Sequence, residues 1–446
     1  VDESMISGES TPVFRTTQQK VIGGTLIIDG NIKCKVTTEI ENTVLSKIIE
    51  LVRNAQEDKP EIQQLGDKIS NYFVPAVLGI AIITFLINYH TFDINLQNSM
   101  LRAIAVLVIS CPCAMGLATP TAVMVGVGRA AKNGLLIKGG STIELFSKTK
   151  KIIFDKTGTL TDGKFKIHEL KKWNENYNAE SIIYELEKHS SHPIAKSLVK
   201  CLEADKTNIK FDSINEIKGK GFNATDAEGN TYQFGSAKFI QITDPLIEKD
   251  FQLFLKVNNE LVATVSISDE IKSGARELTN YFNDKNIETI LLSGDNKQKC
   301  DALASELNIN EVIANQLPED KIEKIKQFSK QKNTTMFGDG INDAPALTQA
   351  QVGISYSKAT EVAVQSASIV LLNHNLELVQ KAYQICTHTY LTIKQNLFWA
   401  FAYNIIAIPL ASMGYLSPIF AALTMAFSDI VVIGNSIRLK YKNIDS

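Results

Sequence analysis

The sequence predicts a multidomain α/β protein that also contains membrane-spanning helices. Four apolar stretches form two pairs, 72–89 with 101–127 and 396–413 with 416–437, and each approaches the ~20 residues that cross a bilayer. The segment between the pairs instead alternates strand-like and helix-like patterns. At 446 residues the chain is long enough for two or three domains with separate cores.

The apolar stretches are interpreted as four membrane spans because of their pairing and their flanking charges. The connector 90–98 contains no Lys or Arg. Cationic residues flank the other ends of the spans, namely Arg129, Lys132, Lys138, Arg438, Lys440 and Lys442. By the positive-inside rule, the large middle segment is then cytoplasmic. Polar interruptions leave one alternative open, buried helices of a soluble enzyme.

Composition excludes several other classes of protein. The 46 basic and 48 acidic residues nearly cancel, so no strongly basic face indicates nucleic-acid binding. Six cysteines in a chain of this length do not form a disulfide scaffold. The chain begins Val-Asp-Glu-Ser without an initiator Met or an apolar signal region. We interpret this start as the middle of a longer protein.

Three short apolar runs in the middle segment each end at a turn that contains an aspartate. These runs are 151–154, 289–292 and 334–337. Ligands bind at the carboxyl ends of parallel strands, so the three turns should converge on one site. Segment 166–266 has its own strand and helix signals and is predicted to be an inserted domain. Segment 13–43, rich in Val, Ile, Thr and Gly, suggests a small β-rich piece.

Residues 155–161 (DKTGTLT) follow the first of these runs and resemble the phosphorylation motif of P-type ATPases. The resemblance implies a haloacid-dehalogenase-like, Rossmannoid phosphorylation domain with an inserted α+β nucleotide-binding domain, beside a partial β-rich actuator domain. The implied boundaries are the actuator at 1–60, a membrane hairpin at 61–130, the phosphorylation domain at 131–165 and 267–390, the nucleotide-binding domain at 166–266, and a second membrane hairpin at 391–440.

The resemblance also assigns roles at the phosphorylation site. Asp155 is expected to take the γ-phosphoryl group of ATP as an acyl phosphate. A cation should assist, because phosphoryl transfer depends mostly on positioning and charge neutralisation. Mg²⁺ would be held by Asp155, Thr157, Asp339 and Asp343, since this hard ion favours carboxylate and phosphate oxygens. The other catalytic positions at this site are Lys156, Thr157, Ser293, Gly294, Asp295 and Lys321.

A soluble phosphatase of the haloacid dehalogenase superfamily is the main competitor for this core. Such enzymes typically carry a second aspartate two residues after the nucleophile as general acid–base. Here that position is Thr157, so the phospho-aspartate should persist until another element hydrolyses it. Residues 7–10 (SGES) resemble the Thr-Gly-Glu-Ser loop of the family's actuator domain. Glu9 is therefore expected to direct water at the phosphoryl group.

The nucleotide site is expected in the inserted segment. Residues 187–193 (EKHSSHP) and 219–221 (GKG) match the adenine-pocket motifs of the family's heavy-metal class. By this resemblance His192 would contact the adenine edge, while Glu187, Gly219 and Gly221 would shape the pocket. The glycines are expected to allow close approach of the backbone to the nucleotide.

The transported cation is expected beside residues 110–120 (SCPCAMGLATP) in the second apolar stretch. A proline breaks the helix, so Cys111 and Cys113 can point into one cavity. Soft sulfur ligands favour Cu(I) and also suit Zn(II). A disulfide is improbable for a membrane segment joined to the cytoplasm, and inert cysteines would not explain the proline. Cys-Pro-Cys is also the heavy-metal hallmark of the family.

The last two spans indicate which metal is carried. Tyr403 and Asn404 match the Tyr-Asn pair of Cu(I) pumps, and Met425 with Ser428 matches the start of their Met-x-x-Ser-Ser motif. Zn(II) pumps would instead have an acidic residue near Met425 and a lysine in the third span. Asp429 stands where a second Ser is expected, and an intramembrane carboxylate is a functional suspect by default.

The sequence thus predicts ATP-driven export of Cu(I) from the cytoplasm, with ATP and Mg²⁺ as cofactors. A Zn(II), Cd(II) or Pb(II) exporter and a non-transporting metal-binding fragment are the alternatives. The expected partners are membrane lipid, a soft metal ion and, as a further candidate, a cytoplasmic copper chaperone. The expected location is the bacterial plasma membrane, with the catalytic domains in the cytoplasm. Family members have eight spans, so the chain is expected to be truncated at its N-terminus.

Overall fold

The computed structural model describes residues 16–21, 27, 32–37, 60–111, 113–190, 193–203, 209–217, 220–242, 251–338, 343–356 and 365–444. The chain divides into two compact units. The first unit comprises residues 1–156 and 273–446, and the second unit comprises residues 157–272. The second unit therefore contains the whole of the predicted insertion 166–266.

The described helices and strands are numbered in chain order. The strands are β1 Leu135–Ile137, β2 Lys151–Phe154, β3 Thr161–Lys172, β4 Ser213–Ile217, β5 Gly221–Thr225, β6 Thr231–Gly235, β7 Leu253–Val257, β8 Glu260–Ile271, β9 Glu288–Leu292, β10 Glu311–Ile313, β11 Thr334–Phe337, β12 Val352–Tyr356 and β13 Ile369–Leu371. The helices are α1 Glu61–His90, α2 Leu96–Ile109, α3 Cys113–Lys132, α4 Gly140–Ser147, α5 Ala179–Glu187, α6 Pro193–Leu202, α7 Ala237–Ile240, α8 Ala275–Asp284, α9 Lys297–Leu307, α10 Pro318–Gln331, α11 Ala344–Gln349, α12 Glu377–Ser412 and α13 Pro418–Arg438.

The first unit contains a seven-stranded sheet in the order β1-β13-β12-β11-β2-β9-β10. All neighbouring pairs are parallel except β1 with β13. Strand β2 lies in the interior of the sheet, and Ile152, Ile153 and Phe154 are fully buried, as expected of a parallel strand covered on both faces. The chain continues from β9 and β10 on one side of β2 to β11 on its other side. The carboxyl end of β2 therefore lies at a topological switch point, where open α/β sheets bind ligands.

The second unit is built on an antiparallel six-stranded sheet in the order β3-β8-β7-β6-β5-β4. Helices α5 and α6 pack together and contribute to its core, which joins Ile183, Leu198, Phe234 and Val265. The core residues on β5 alternate with more exposed positions, since Phe222 and Ala224 are buried and their neighbours are only half-buried. This is the pattern of a sheet with one face on a core.

The four predicted apolar stretches all fall on helices of the first unit. Among the described residues, three segments are long and apolar enough to cross a membrane: Ser70–His90, Leu96–Lys132 and Pro418–Tyr441. The stretch predicted as the third of four spans, 396–413, forms the C-terminal part of the 36-residue helix α12. Polar residues such as Asn396 and Asn404 interrupt its apolar run, so it is less apolar than the other three.

The apolar helices pack through small side chains. One buried cluster joins α1, α2, α12 and α13 and includes Ala81, Ala105, Ala411 and Ala421. At the crossing of α3 and α12, a Cβ on Gly126 would lie only 2.5 Å from Oγ1 of Thr389. Small residues let membrane helices approach closely, where packing rather than water exclusion stabilises their contact.

The predicted β-rich piece at 13–43 lies mostly outside the described residues. The described parts of it, 16–21, 27 and 32–37, contain no strand.

Candidate functional site

Asp155 lies at the carboxyl end of β2 and is held there by the neighbouring strand. Its backbone N–H donates to the carbonyl of Phe337, the last residue of β11, at 2.9 Å. The register that pairs Phe154 with Phe337 places the two strand ends side by side. Asp155 is 6 % exposed, so its carboxylate is largely removed from bulk water.

Lys321 brings a positive charge to this carboxylate. Its Nζ lies 2.5 Å from Oδ1 of Asp155 and 3.2 Å from Oδ1 of Asp343. Burial by itself would lower the pKa of Lys321, but the two carboxylates outweigh it and hold this pKa above its ordinary value. The ammonium therefore stays charged and neutralises a pair of buried like charges.

The first turn of α10 positions Lys321. Pro318 occupies the first turn of the helix, where its missing N–H costs nothing. Oδ2 of Asp320 accepts a hydrogen bond from the backbone N–H of Leu317 at 3.1 Å, which fixes the start of the helix. A proline followed by an acidic first turn thus aims the lysine three residues later at the strand ends.

The loop after β9 forms the second side of the site. Lys156 and Asp295 make an ion pair, and Oγ of Ser293 accepts a hydrogen bond from the backbone N–H of Asp295 at 3.1 Å. A Cβ on Gly294 would lie 3.2 Å from the carbonyl of Gln316, so a larger residue would press on the neighbouring loop. This loop therefore presents a hydroxyl and backbone close to the residue that follows Asp155.

Asp343 completes the described part of the site. It is 4 % exposed, and a Cβ on Gly338 would come within 3.0 Å of its side chain. A glycine at the end of β11 thus leaves the space that the carboxylate occupies. Asp339 lies outside the described residues. Thr157, at an exposed position, is the first residue of the second unit.

This arrangement can bind and transfer a phosphoryl group. A carboxylate nucleophile, a lysine that bridges two carboxylates and a Ser-Gly loop supply an attacking oxygen, a fixed positive charge and hydrogen-bond donors. The paired carboxylate oxygens of Asp155 and Asp343 also suit a hard divalent cation such as Mg²⁺. Both carboxylates already reach one cationic atom in the structure, which shows that a single cation can satisfy them.

The second unit contains two of the four residues predicted for nucleotide binding among its described residues, Glu187 and Gly221. Glu187 ends α5 and is 8 % exposed. Its burial, with a smaller contribution from the nearby Glu216, raises its pKa to about 7. An enclosed carboxyl group of this kind can be protonated near neutral pH and then donate a hydrogen bond. His192 and Gly219 lie outside the described residues.

The structure gives Gly221 a different physical reason from the predicted one. Its φ is +152°, and an added Cβ would lie 2.1 Å from the carbonyl of Phe234 and 2.7 Å from Cα of Gly235. These atoms belong to β6, the strand paired with β5. The glycine is thus required by contact between two strands of its own sheet, whereas close approach to a nucleotide was the predicted reason.

Five of the six residues predicted to bind the cation meet around one small cavity between the apolar helices, whereas the side chain of Cys113 lies outside the described part of the structure. Its lining includes Cys111 from the break between α2 and α3, Tyr403 and Asn404 from α12, and Met425 and Ser428 from α13. The cavity volume is about 10 Å³, which is close to the smallest space that holds one water molecule. Three separate segments of the sequence therefore supply soft or neutral donors to a cavity with room for one ion or one water molecule.

The cysteine pair lies at a helix break, as predicted. Helix α2 ends at Ile109 and α3 begins at Cys113, and Oγ of Ser110 donates to the carbonyl of Val106 at 2.6 Å. Cys111 is disulfide-bonded, whereas the sequence made a disulfide improbable. The disulfide and the expected free thiols differ only in the oxidation state of the sulfur. Cys111 must be reduced to act as a ligand, because the thiolate is the form that binds metal.

One residue that lines this cavity and one that contacts its lining were not anticipated from the sequence. Met115 lines it with a second thioether, and its position two residues after Cys113 was the available signal. Thr424 accepts a hydrogen bond from the hydroxyl of Tyr403 at 2.5 Å and so fixes the orientation of the phenol. Asp429, by contrast, is not among the described residues that line the cavity, although its Oδ1 is buried without a hydrogen-bond partner.

Two family models match separate parts of the chain. The family model of haloacid dehalogenase-like hydrolases matches residues 149–351, which include every described residue of the aspartate–lysine site. The family model of the P-type ATPase actuator domain matches residues 1–53. The second match covers the segment of the predicted actuator piece that the described residues mostly omit.

Copper-exporting P-type ATPases are similar in sequence along nearly the whole of this chain. The chain is 40% identical over 455 residues to a copper-exporting P-type ATPase of Staphylococcus haemolyticus, covering 99% of this chain and 57% of that protein. It is 38% identical over 465 residues to a copper-exporting P-type ATPase of Staphylococcus aureus strain MW2, with 100% and 57% covered. The chain thus spans little more than half the length of these relatives.

Solved structures have the same architecture. One crystal structure of a zinc-transporting PIB-type ATPase superposes with a TM-score of 0.78 at 27% identity, covering 98% of this chain and 74% of that one. A second crystal structure of a zinc-transporting PIB-type ATPase, in another state of its cycle, gives a TM-score of 0.71 with the same coverage. With the DKTGTLT motif at the switch point and a Cys-Pro-Cys break among apolar helices, the chain is similar along nearly its whole length to heavy-metal P-type ATPases.

Proposed function

We propose that this protein exports Cu(I) from the cytoplasm across a membrane, driven by ATP through a phosphorylated Asp155. The observation that carries the proposal is the convergence of Cys111, Met425, Tyr403 and Asn404 on one cavity among the apolar helices. Sulfur donors favour Cu(I), and the relatives at about 40% identity are named as copper exporters.

The first chemical step is phosphoryl transfer to Asp155. A carboxylate oxygen of Asp155 attacks the γ-phosphorus of ATP, the bond between that phosphorus and the β–γ bridging oxygen breaks, and ADP leaves with the electron pair. Lys321 keeps its proton and offsets negative charge on the transferring group. Mg²⁺, held by Asp155, Asp343 and by the proposed Asp339 and Thr157, would supply further charge neutralisation when bound.

The second step is hydrolysis of the acyl phosphate. The structure of Glu9 is not described, and its role is proposed from the SGES motif alone. Glu9 would accept a proton from water as the water oxygen attacks phosphorus, releasing inorganic phosphate and restoring the Asp155 carboxylate. Thr157 cannot take this role because its hydroxyl does not accept a proton at neutral pH.

The cation is the cargo of the proposed cycle. A cavity of about 10 Å³ has room for one ion without its hydration shell. Cys111 and Cys113 in their reduced forms, with the thioether of Met425, would replace that shell, while Tyr403, Asn404 and Ser428 would line the exit. Met115 adds a second thioether beside the cysteines.

The surroundings follow from the same proposal. The second unit would bind ATP through Glu187, His192, Gly219 and Gly221. The apolar helices would lie in a bacterial plasma membrane, with both catalytic units on the cytoplasmic side, where cationic residues flank the spans. A cytoplasmic copper chaperone is the proposed donor of the ion.

Zinc export is the second candidate, because the solved structures with the same architecture are of a zinc-transporting ATPase. The cavity argues for copper over zinc. Its described lining holds a thioether from each of two helices and no carboxylate or lysine. A thioether is a soft ligand that suits Cu(I).

ATPase stimulation of the reconstituted protein separates these candidates. We expect Cu(I) under reductant to stimulate hydrolysis and Zn(II) to leave it near the basal rate. An Asp429→Asn variant should retain the response to Cu(I), because Asp429 does not line the cavity. Stimulation by Zn(II) alone, lost in Asp429→Asn, would overturn the copper assignment and give Asp429 a part in metal choice.

A further inference from the structure

A second cavity lies where two candidate membrane segments end. It has a volume of about 540 Å³ and is bounded by the last turns of α3 and by the chain after α13. Four of its lining residues are cationic: Arg129, Lys132, Lys440 and Lys442. No described residue of the lining is acidic. The cavity is therefore a cationic space that the phosphorylation chemistry and the metal cavity do not use.

Arg129 builds the inner wall of this cavity. It is 9 % exposed, and its Nη1 donates to the carbonyl of Leu439 at 2.8 Å. Its Nη2 donates to the carbonyl of Lys442. These bonds tie the end of α3 to the chain that follows α13, so the guanidinium and the lysine-rich segment are held in one place rather than spread over a surface.

The positive charges of the wall act on one another. Burial, followed by the charges of Arg438 and Arg129, lowers the pKa of Lys442 below its ordinary value. On the adjacent helix α12, burial and then the charges of Lys442 and Arg129 lower the pKa of His388 to about 4. No described carboxylate forms an ion pair with Lys132, Lys440 or Lys442. An anion in the cavity would relieve this repulsion.

The position of the cavity indicates where the anion comes from. Segments Leu96–Lys132 and Pro418–Tyr441 are long and apolar enough to cross a membrane, and both end at this cavity. Tyr441 is 78 % exposed and Met124 is 53 % exposed on its rim. Aromatic and cationic residues at the end of a span mark the level of the lipid head groups, and apolar side chains on the same rim can contact acyl chains.

We propose that this cavity binds the phosphate head group of an anionic phospholipid. The head group lies among Arg129, Lys132, Lys440 and Lys442, and the acyl chains extend past Met124 along α3. Basic pockets at the cytoplasmic ends of membrane helices take such head groups. Because α3 begins at Cys113 and α13 carries Met425, a lipid bound here bridges the two helices that supply sulfur to the metal cavity.

The binding test uses the whole detergent-purified protein. Bound phosphatidylglycerol and phosphatidylcholine are counted by native mass spectrometry during titration, with inorganic phosphate as a competitor in a third arm. We expect retention of phosphatidylglycerol over phosphatidylcholine and no displacement by millimolar phosphate. A Lys440→Gln, Lys442→Gln variant should bind phosphatidylglycerol roughly 30-fold more weakly, since each lysine near a lipid surface contributes about a fivefold factor.

The matched control removes two exposed lysines of α10, by Lys326→Gln with Lys330→Gln, and should leave binding unchanged. Equal loss in this control, equal retention of phosphatidylcholine, or an unaffected Lys440→Gln, Lys442→Gln variant would each overturn the proposal. Displacement by phosphate would assign the cavity to a soluble anion instead. If the glutamine pair does not fold, Lys440→Arg with Lys442→Arg should keep lipid binding and Lys132→Gln should weaken it.

Discussion

The aspartate–lysine site and the metal cavity lie in the same compact unit but use opposite physical means. At the first, full charges are buried and offset in pairs, with Lys321 between Asp155 and Asp343. At the second, soft sulfur and neutral oxygen donors from α12, α13 and the helix break surround about 10 Å³. Under the proposed function, the first site recognises charge, and the second recognises the polarisability and size of its ligand.

The difference indicates how each site should tolerate change. Charge pairs in a buried site are strongly coupled, so removing one partner leaves an uncompensated charge. Each soft donor contributes separately to the affinity for the cation, so the loss of one donor weakens this affinity while the cavity remains. We therefore expect all-or-none losses at the phosphorylation site and graded losses at the metal cavity.

The largest effect should follow from Asp155→Asn. An amide cannot form the acyl phosphate, so phosphorylation from labelled ATP should be abolished, as measured by acid-stable and hydroxylamine-sensitive incorporation of label. Asp284→Asn, at an exposed residue that ends α8, serves as the control and should leave labelling intact. Acyl phosphate in the Asp155→Asn protein would place the nucleophile elsewhere.

Lys321→Met should come next, because it leaves Asp155 and Asp343 buried without their cation. Loss of one fixed charge or donor at a phosphoryl site lowers the rate by about 10²- to 10³-fold, and single-turnover phosphorylation should fall by this factor. Lys321→Arg keeps the charge and should recover part of the rate. A Lys321→Met protein with nearly normal rates would show that charge pairing does not control this site.

Met425→Leu tests whether losses at the metal cavity are graded. Removing one thioether while keeping volume should weaken half-maximal stimulation of the ATPase by Cu(I) about tenfold and leave the maximal rate within a fewfold. Met115→Leu should give a smaller shift in the same direction. Met100→Leu, on an exposed position of α2, is the control. Complete loss of stimulation in Met425→Leu would make this site as strict as the charged one.

The smallest effect concerns the pH dependence of the second unit. Glu187 has a pKa of about 7 in the fold against about 4.3 unfolded. The folded state therefore binds more protons between these values, and the stability of the unit should fall as pH rises from about 4.3 to 7. The loss is on the order of 2–3 kcal/mol, and Glu187→Gln should remove it.

Hydrogen exchange of the second unit in the whole protein, at pH 5, 6, 7 and 8, measures this dependence. Glu216→Gln should reduce the slope only in part, because burial is the larger cause of the raised pKa. An unchanged slope in Glu187→Gln would mean that another group titrates over this range.

The positions of the local motifs in the fold could be predicted from the sequence, because they depend on the chemistry of only a few neighbouring residues. The DKTGTLT run follows a buried strand, so Asp155 was expected at the end of β2 and is found there. The Cys-Pro-Cys run was expected to break a helix, and α2 and α3 are separated at this position. The helix Glu377–Ser412 is longer than the predicted span 396–413, because that span continues without a break from the residues before it.

Contacts between segments far apart in the chain could not be predicted from sequence patterns. The local sequence 318–321 does not predict that Lys321 bridges Asp155 and Asp343. The sequence around Gly221 likewise does not predict that Gly235 packs against it. Met115 entered the metal cavity, and Asp429 did not, because the rotation of each helix about its axis is set by packing against its neighbours.

The sequence by itself indicated the family resemblance, the candidate nucleophile and the soft character of the proposed cation donors, because each depends on residue type and short spacing. The tertiary structure alone decided which charges pair, which donors share one cavity, and that four cations meet at the ends of α3 and α13. Those outcomes depend on strand order and helix packing, which bring together residues more than a hundred positions apart.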